Sequence, residues 1–157
     1  MEFSGDNNGG THVLLFPFPT SGHIIPLLDL ANHLINHRLK LTILVTPPNL
    51  PLLKSFRAIH PSDSIQTLVL SVPEAPAGSN FATRVRATSE LYDPIVDWFR
   101  THPSPPVAII SDLFLGWTHS LACRLGVRRF AFWPSGAFTC LVISYIWSNL
   151  EEIFLKT

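Results

Sequence analysis

Apolar residues along the chain switch between two periods, and the switching predicts the elements. Val13–Phe16 is a short apolar run of strand type. Pro17–Gly22 cannot continue it: two prolines followed by Thr20, Ser21 and Gly22 suit a turn. Leu27, Leu30, Ala31 and Leu34 then recur at spacings of three and four, which is one face of a helix from about Ile24 to Asn36. Pro26 fits only in the first helical turn, where its missing N–H costs nothing. The unit is strand, tight turn, helix, with His23 where the turn becomes the helix.

The same alternation runs to the end of the chain. Leu39–Val45 is almost continuously apolar, as expected of a strand buried on both faces. Thr46-Pro47-Pro48-Asn49 stops it, and Asn49 is placed to cap a short helix through about Phe56. Ile65–Val72 is the third strand, followed by a loop over 73–82. A long helix is expected from Thr83 to Arg100, with Val85, Thr88, Tyr92, Ile95, Val96 and Phe99 on one face and Pro94 as its weak point. Val107–Ile110 is the fourth strand, ending at Ser111-Asp112. Trp117, Leu121 and Leu125 mark the next helix, which Gly126 is placed to end. Arg129–Trp133 is the fifth strand. Pro134-Ser135-Gly136 turns it into a last helix, where Phe138, Leu141, Val142, Tyr145, Ile146 and Ile153 should supply a broad buried face. Strands alternating with helices imply an α/β domain: a mostly parallel, doubly wound, Rossmann-like sheet covered on both sides. Residues 1–11 read as a loose polar tail.

Composition narrows the function classes. Eleven basic and eleven acidic residues balance, so nothing steers the chain toward nucleic acid or an anionic membrane. The apolar segment Phe130–Trp147 is interrupted by Pro134, Ser135 and Gly136 and is a poor membrane span. The N-terminus lacks the basic-then-apolar pattern of a secretory signal. Cys123 and Cys140 define no disulfide framework, and Cys123 sits beside apolar residues as core material would. A reducing, cytoplasmic setting fits. The glycine motifs of nucleotide-binding loops are missing, as is GxSxG. The histidines show no metal-ligand spacing; His33 and His37 lie four apart without HExxH.

His23 and Asp112 are the candidates with chemistry. Both belong at the carboxyl edge of a parallel sheet, where α/β domains bind ligands. If the first and fourth strands are neighbours, the two side chains can meet. A carboxylate on one imidazole nitrogen fixes the tautomer and steadies the charge after proton uptake at the other. The blander readings are that His23 is a surface or capping residue and that Asp112 only caps the helix after the fourth strand. The aromatic residues of Phe130–Trp133 are core material in the first place, with Trp133, at a strand end, alternatively lining a pocket.

The run PFPTSGHIIPLLDLANHL resembles the N-terminal signature of plant family-one glycosyltransferases, which use UDP-sugars. IISDLFLGWTHSLACRLGV and RRFAFWPSGA resemble that family's fourth and fifth strand regions, in the same order, so the resemblance covers nearly all of the chain after the tail. Its flavour is that of members acting on flavonols and related phenolics. The resemblance implies a GT-B architecture of two similar α/β domains with the active site between them. Residues 12–157 would be the acceptor-binding domain, and the chain would stop before the C-terminal donor-binding domain. The family's general base falls on His23 and its partner on Asp112. Ser21, with Gly22 beside it, matches a position that approaches the donor phosphates. Trp133 matches an aromatic that shapes the cleft, and Pro134 stands where many relatives carry a small hydroxyl residue. Phe18, Phe81, Phe114 and Trp117 fall in the acceptor neighbourhood, although the loop after the third strand looks abbreviated. The implied co-substrate is a UDP-sugar, UDP-glucose first, with no prosthetic group and no metal. The implied reaction is inverting transfer to a hydroxyl of a small apolar acceptor. The other reading is a non-catalytic fragment, or a small-molecule binding or regulatory module.

Overall fold

A computed structural model describes residues 10–60, 64–73 and 76–154, the last two without their side chains. Residues 1–9 of the expected tail and the side chain of Ile153 lie outside what is described. The elements are β1 (His12–Phe16), α1 (Ser21–Asn36), β2 (Lys40–Val45), α2 (Leu50–Ile59), β3 (Ile65–Val69), α3 (Phe81–Ala87), α4 (Tyr92–Thr101), β4 (Ala108–Asp112), α5 (Thr118–Leu125), β5 (Arg128–Phe132), α6 (Ala137–Ser148) and α7 (Leu150–Phe154). Short 3₁₀ turns at Pro47–Asn49 and Thr88–Leu91 precede α2 and α4.

The five strands form one parallel sheet in the order β3-β2-β1-β4-β5. The chain builds outward from β1 to β3, then returns to lay β4 on the other side of β1. This reversal opens a crevice between the carboxyl ends of β1 and β4. The architecture is the expected Rossmann-like one, a parallel sheet with helices on both faces.

Period-two alternation sends neighbouring residues of β1 into different cores, and all five are buried. Val13 and Leu15 pack with Ile24, Leu27, Leu28 and Ala31 of α1 and with Leu53 and Phe56 of α2. Leu14 and Phe16 face the other way, onto Leu91, Ile95, Val96, Leu121 and Ala122. The register places Phe16 beside Ser111, so Ser111 shares the second face and Asp112 turns toward the α1 side.

Several boundaries differ from expectation for local reasons. The helix expected over 83–100 is divided: α3 ends at Ala87, a 3₁₀ turn intervenes, and Pro94 falls in the first turn of α4, where it breaks no internal hydrogen bond. Strand β3 stops at Val69 rather than Val72. Gly126 does end α5, in the left-handed region at φ 69°. Val127 N–H reaches back to the Ala122 carbonyl and Gly126 N–H to that of Cys123.

The last helix corrects a larger expectation. None of its residues is buried, and Phe138, Leu141, Val142, Tyr145 and Ile146 are all exposed. The reason lies in its place: among the described residues β5 is an edge strand paired only with β4, and Phe130 on it is also exposed. Cys123, expected in the core, is exposed on the outer side of α5. Among the described residues no helix is long and apolar enough to cross a membrane.

Candidate active site

The turn after β1 is short because Thr20 N–H closes onto the Phe18 carbonyl, so helix α1 begins at once at Ser21. The Thr20 carbonyl accepts from both His23 and Ile24 N–H. Ser21 and Gly22, exposed, therefore occupy the opening turn of a 16-residue helix rather than the loop before it. The positive end of the helix dipole lies there. His23, one residue further, points across the crevice to the end of β4.

Asp112 is the last residue of β4 and its side chain is fully buried. Its two carboxylate oxygens have separate partners. Oδ1 accepts the Phe114 N–H at 3.0 Å, and Oδ2 accepts the His23 Nδ1–H at 2.6 Å. Its carbonyl accepts the Leu115 N–H, which closes a tight turn from the strand toward α5. A buried carboxylate with both oxygens bonded is held in one orientation. With the proton on Nδ1, the His23 imidazole carries its free lone pair on Nε2. His23 keeps 21% of its side-chain surface accessible against 0% for Asp112. This is the asymmetry expected of a proton acceptor backed by a buried anion.

Three phenylalanines gather around the imidazole. His23 lies 5.6 Å from Phe18 and 5.1 Å from Phe114, ring centre to ring centre, and Phe81 closes on Phe114 at 4.6 Å. Phe18 is buried, whereas Phe81, the first residue of α3, is half exposed. Such a group offers apolar ring faces beside the open nitrogen. Trp117 is not in it. Its indole N–H donates to Thr88 Oγ1 at 3.0 Å, and its ring packs on Phe16 and Tyr92 in the second core. Trp133 is half buried, one residue beyond β5.

Two features here were not anticipated. A cleft of about 510 Å³ lies against Pro19 at the ends of β2 and β3, lined also by Thr46, Pro47, Pro48, Asn49, Ser71 and Val72. It is within the size range of small-molecule sites. Below Asp112, Arg129 of β5 donates to Ser111 Oγ, Thr118 Oγ1 and the Asp112 carbonyl. The available signal for the second was an arginine, Arg129, carried into the strand between Arg128 and the apolar Phe130–Phe132. Nothing in the local pattern of Pro47-Pro48-Asn49 marked the first.

No protein-family model matches the sequence. Individual relatives do. The chain is 46% identical over 154 residues to UDP-glycosyltransferase 89B2 of Stevia rebaudiana, covering 90% of this chain and 33% of the relative. It is 42% identical over 167 residues to the flavonol 3-O-glucosyltransferase UGT89B1 of Arabidopsis thaliana, covering 96% of this chain and 34% of that one. Arabidopsis thaliana UGT89C1, solved in complex with quercetin, superposes with a TM-score of 0.80 at 30% identity, over 94% of this chain and 40% of that structure. The chain thus spans about a third of the length of the curated relatives it matches. Sequence and fold agree across nearly the whole of it: the chain is homologous to part of the plant family-one UDP-glycosyltransferases and matches their fold there.

Proposed function

We propose that residues 12–157 form the acceptor-side domain of a cytoplasmic, inverting UDP-sugar glycosyltransferase, with His23 as general base and Asp112 as its partner. The observation that carries this reading is the 2.6 Å bond between His23 Nδ1 and the buried Asp112 carboxylate, set at the carboxyl edge of the sheet beside an aromatic group. The relatives' names supply the chemistry: UDP-sugar as donor, and flavonols among the acceptors.

In this mechanism the acceptor's hydroxyl proton passes to His23 Nε2 as its oxygen attacks the anomeric carbon. The bond from that carbon to the UDP oxygen breaks, and UDP leaves with the electron pair from the opposite face. The imidazolium that forms is held by Asp112, whose charge already faces Nδ1. Phe18, Phe81 and Phe114 pack on the ring of an apolar acceptor, and the cleft beside Pro19 gives its far end room. Trp133, one residue beyond β5, is offered as an aromatic that shapes the cleft between the two domains, and Trp117 packs behind Phe16. Ser21 and Gly22, at the positive end of α1, are suited to the diphosphate of the donor. UDP-glucose is the donor to test first. Nothing in the step calls for a metal or a prosthetic group.

The reading also requires a donor-binding domain, joined to this one in the working enzyme. The bare edge of β5 and the uncovered apolar surface of α6 are consistent with further chain packed there. The test compares purified residues 1–157 with the same residues joined to a donor-binding domain from a relative, each given UDP-glucose and a panel of flavonols. Negligible transfer by the first and turnover by the second are expected. Multiple turnover by residues 1–157 alone would overturn the two-domain reading and leave the His23 assignment to be judged separately. Binding of a flavonol without turnover in either form would favour a small-molecule binding module.

A further inference from the structure

Asp112 is held from behind as well as from the front. Residue alternation puts Ser111 on the α5 face of the sheet and Asp112 on the α1 face. Arg129 pairs with Ile109 in register, so it shares the Ser111 face. From there Nε donates to Ser111 Oγ at 2.9 Å and to Thr118 Oγ1 at 3.1 Å, and Nη2 donates to the Asp112 carbonyl at 3.3 Å. Ser111 and Thr118 are both fully buried, and their hydroxyls lie 2.7 Å apart. The proton directions are fixed throughout. Thr118 donates to the Leu115 carbonyl, so Ser111 donates to Thr118, and both oxygens present lone pairs to the guanidinium.

We propose that Arg129 is a positioning residue for the His23–Asp112 pair, clamping the turn that carries Asp112 from the opposite face of the sheet. This rests on the catalytic reading above. Three anchor points converge on two successive residues of β4 and on the first residue of α5. The carbonyl of Asp112 is held at the same time by Leu115 N–H. With strand end and helix start pinned, the carboxylate has one place to stand, and His23 meets it there. The charge is matched as well. Burial lowers the guanidinium pKa from its ordinary value, and the neighbouring Asp112 carboxylate acts in the opposite sense. An arginine stays protonated under such opposing influences, so the clamp also brings a cation to a buried anion.

Lysine could not substitute fully. Its ammonium is a single point, and it cannot span two hydroxyls and a carbonyl as a planar fork does. A merely structural arginine would stabilise the domain without a special effect on His23. Two hydrogen-bonded ring N–H groups separate these cases. One is His23 Nδ1–H on Asp112, and the other is the Trp117 indole N–H on Thr88, which is packed in the second core and is not held by Arg129.

The experiment measures solvent exchange of both protons by NMR in residues 1–157, for the wild type, Arg129→Met, Arg129→Lys and Asp112→Asn. Arg129→Met should speed exchange at His23 by roughly tenfold or more, the scale set by one charge-assisted hydrogen bond. Arg129→Lys, which keeps charge and buried stem and so preserves the fold, should fall between it and the wild type. Trp117 should be unchanged in both. Wild-type exchange at His23 in Arg129→Lys and Arg129→Met overturns the proposal, and so does equal acceleration at His23 and Trp117. The readout involves no sugar transfer, so its failure leaves the catalytic reading standing. Failure of that reading would show instead as normal turnover by a His23→Ala enzyme.

Discussion

Helices α5 and α6 follow neighbouring strands of one sheet and end in opposite circumstances. Helix α5, eight residues long, mixes Thr118, His119 and Arg124 with its apolar positions, and it buries Thr118, Leu121 and Ala122 against β4 and α4. Helix α6, twelve residues long, is apolar on nearly every side and buries nothing. Composition alone ranks them the wrong way round. Burial needs a partner surface, and α5 has β4 beneath it with strands on both sides. Helix α6 leaves from the sheet's edge, where β5 has a neighbour on one side only. The site lies at an inner strand: β4 has a strand on each side and helices on both faces, and it holds Asp112 fully buried.

The sharpest way to break this comparison is to separate chemistry from packing on the covered flank. His23→Ala in a two-domain enzyme carrying these residues should lower kcat/KM toward an aliphatic alcohol by about 10²–10⁴-fold. Its melting temperature should stay close to the wild type, because His23 is partly exposed and outside both cores. A phenol, with a pKa of about 10, is more easily ionised and should lose less. Near-normal transfer to the alcohol by folded His23→Ala would sink the assignment of the base. Asp112→Asn should lower the rate too, since an amide neither balances imidazolium nor selects its tautomer in the same way.

Next in size is the packing itself. Leu121→Ala on α5 removes a side chain with 0% exposure and should cost about 2–5 kcal/mol in denaturant unfolding of residues 1–157. A cost below about 1 kcal/mol would mean that the second core is looser than its burial implies.

Much of this was readable from residue pattern, and the failures share one cause. The turn after β1 announced itself through Pro17 and Pro19, although Gly22, expected in it, belongs to α1. Gly126 and the apolar run of β2 were equally plain, because each is a local rule acting on a few residues. The meeting of His23 and Asp112 depended on β1 and β4 being neighbours, which the doubly wound order supplied. What could not be read was the difference between an apolar residue with a partner and one without. Phe138 and Leu121 look alike in a string of letters. Cys123 looked internal because its sequence neighbours are apolar, yet it lies on the outward side of the helix. Arg129 was passed over because its hydroxyl partners come from two other elements.

A third prediction tests the amino edge of the sheet, opposite the site. His12 is buried, with Nδ1–H donating to the Ser104 carbonyl and Nε2 accepting from Thr42 Oγ1. Burial chiefly lowers its pKa from 6.5; His102 and Lys40 act the same way, and the Ser104 bond opposes them. The unfolded chain therefore takes up a proton at His12 more readily than the folded one. Stability from this residue is complete above about pH 6.5 and declines as pH falls toward the folded value, at up to about 1.4 kcal/mol per pH unit. Unfolding measured at pH 8 and pH 5 should show this loss in the wild type and a smaller one in His12→Gln. Equal slopes would mean that His12 is protonated as easily in the fold as outside it.

The smallest effect is expected on α6, and it completes the comparison. Leu141 keeps 70% of its surface exposed, so its replacement by alanine leaves no cavity. In residues 1–157 the change should fall within about 0.5 kcal/mol of zero, as surface substitutions do. The partner residue for the contrast is Leu121, a leucine on the neighbouring helix with the opposite burial. If Leu141→Ala costs as much as Leu121→Ala, something covers α6 in solution. Protein concentration then identifies it. A second copy of the chain would make the unfolding midpoint of the wild type rise with concentration, and Leu141→Ala would flatten that dependence. A midpoint independent of concentration, with Leu141→Ala still costly, would place the cover within the chain itself. Apolar surface on the scale of Phe138, Leu141, Tyr145 and Trp147 invites association, so the dilute limit is where the neutral result should be sought. There the two helices should differ in stability cost by nearly the whole value of one buried leucine.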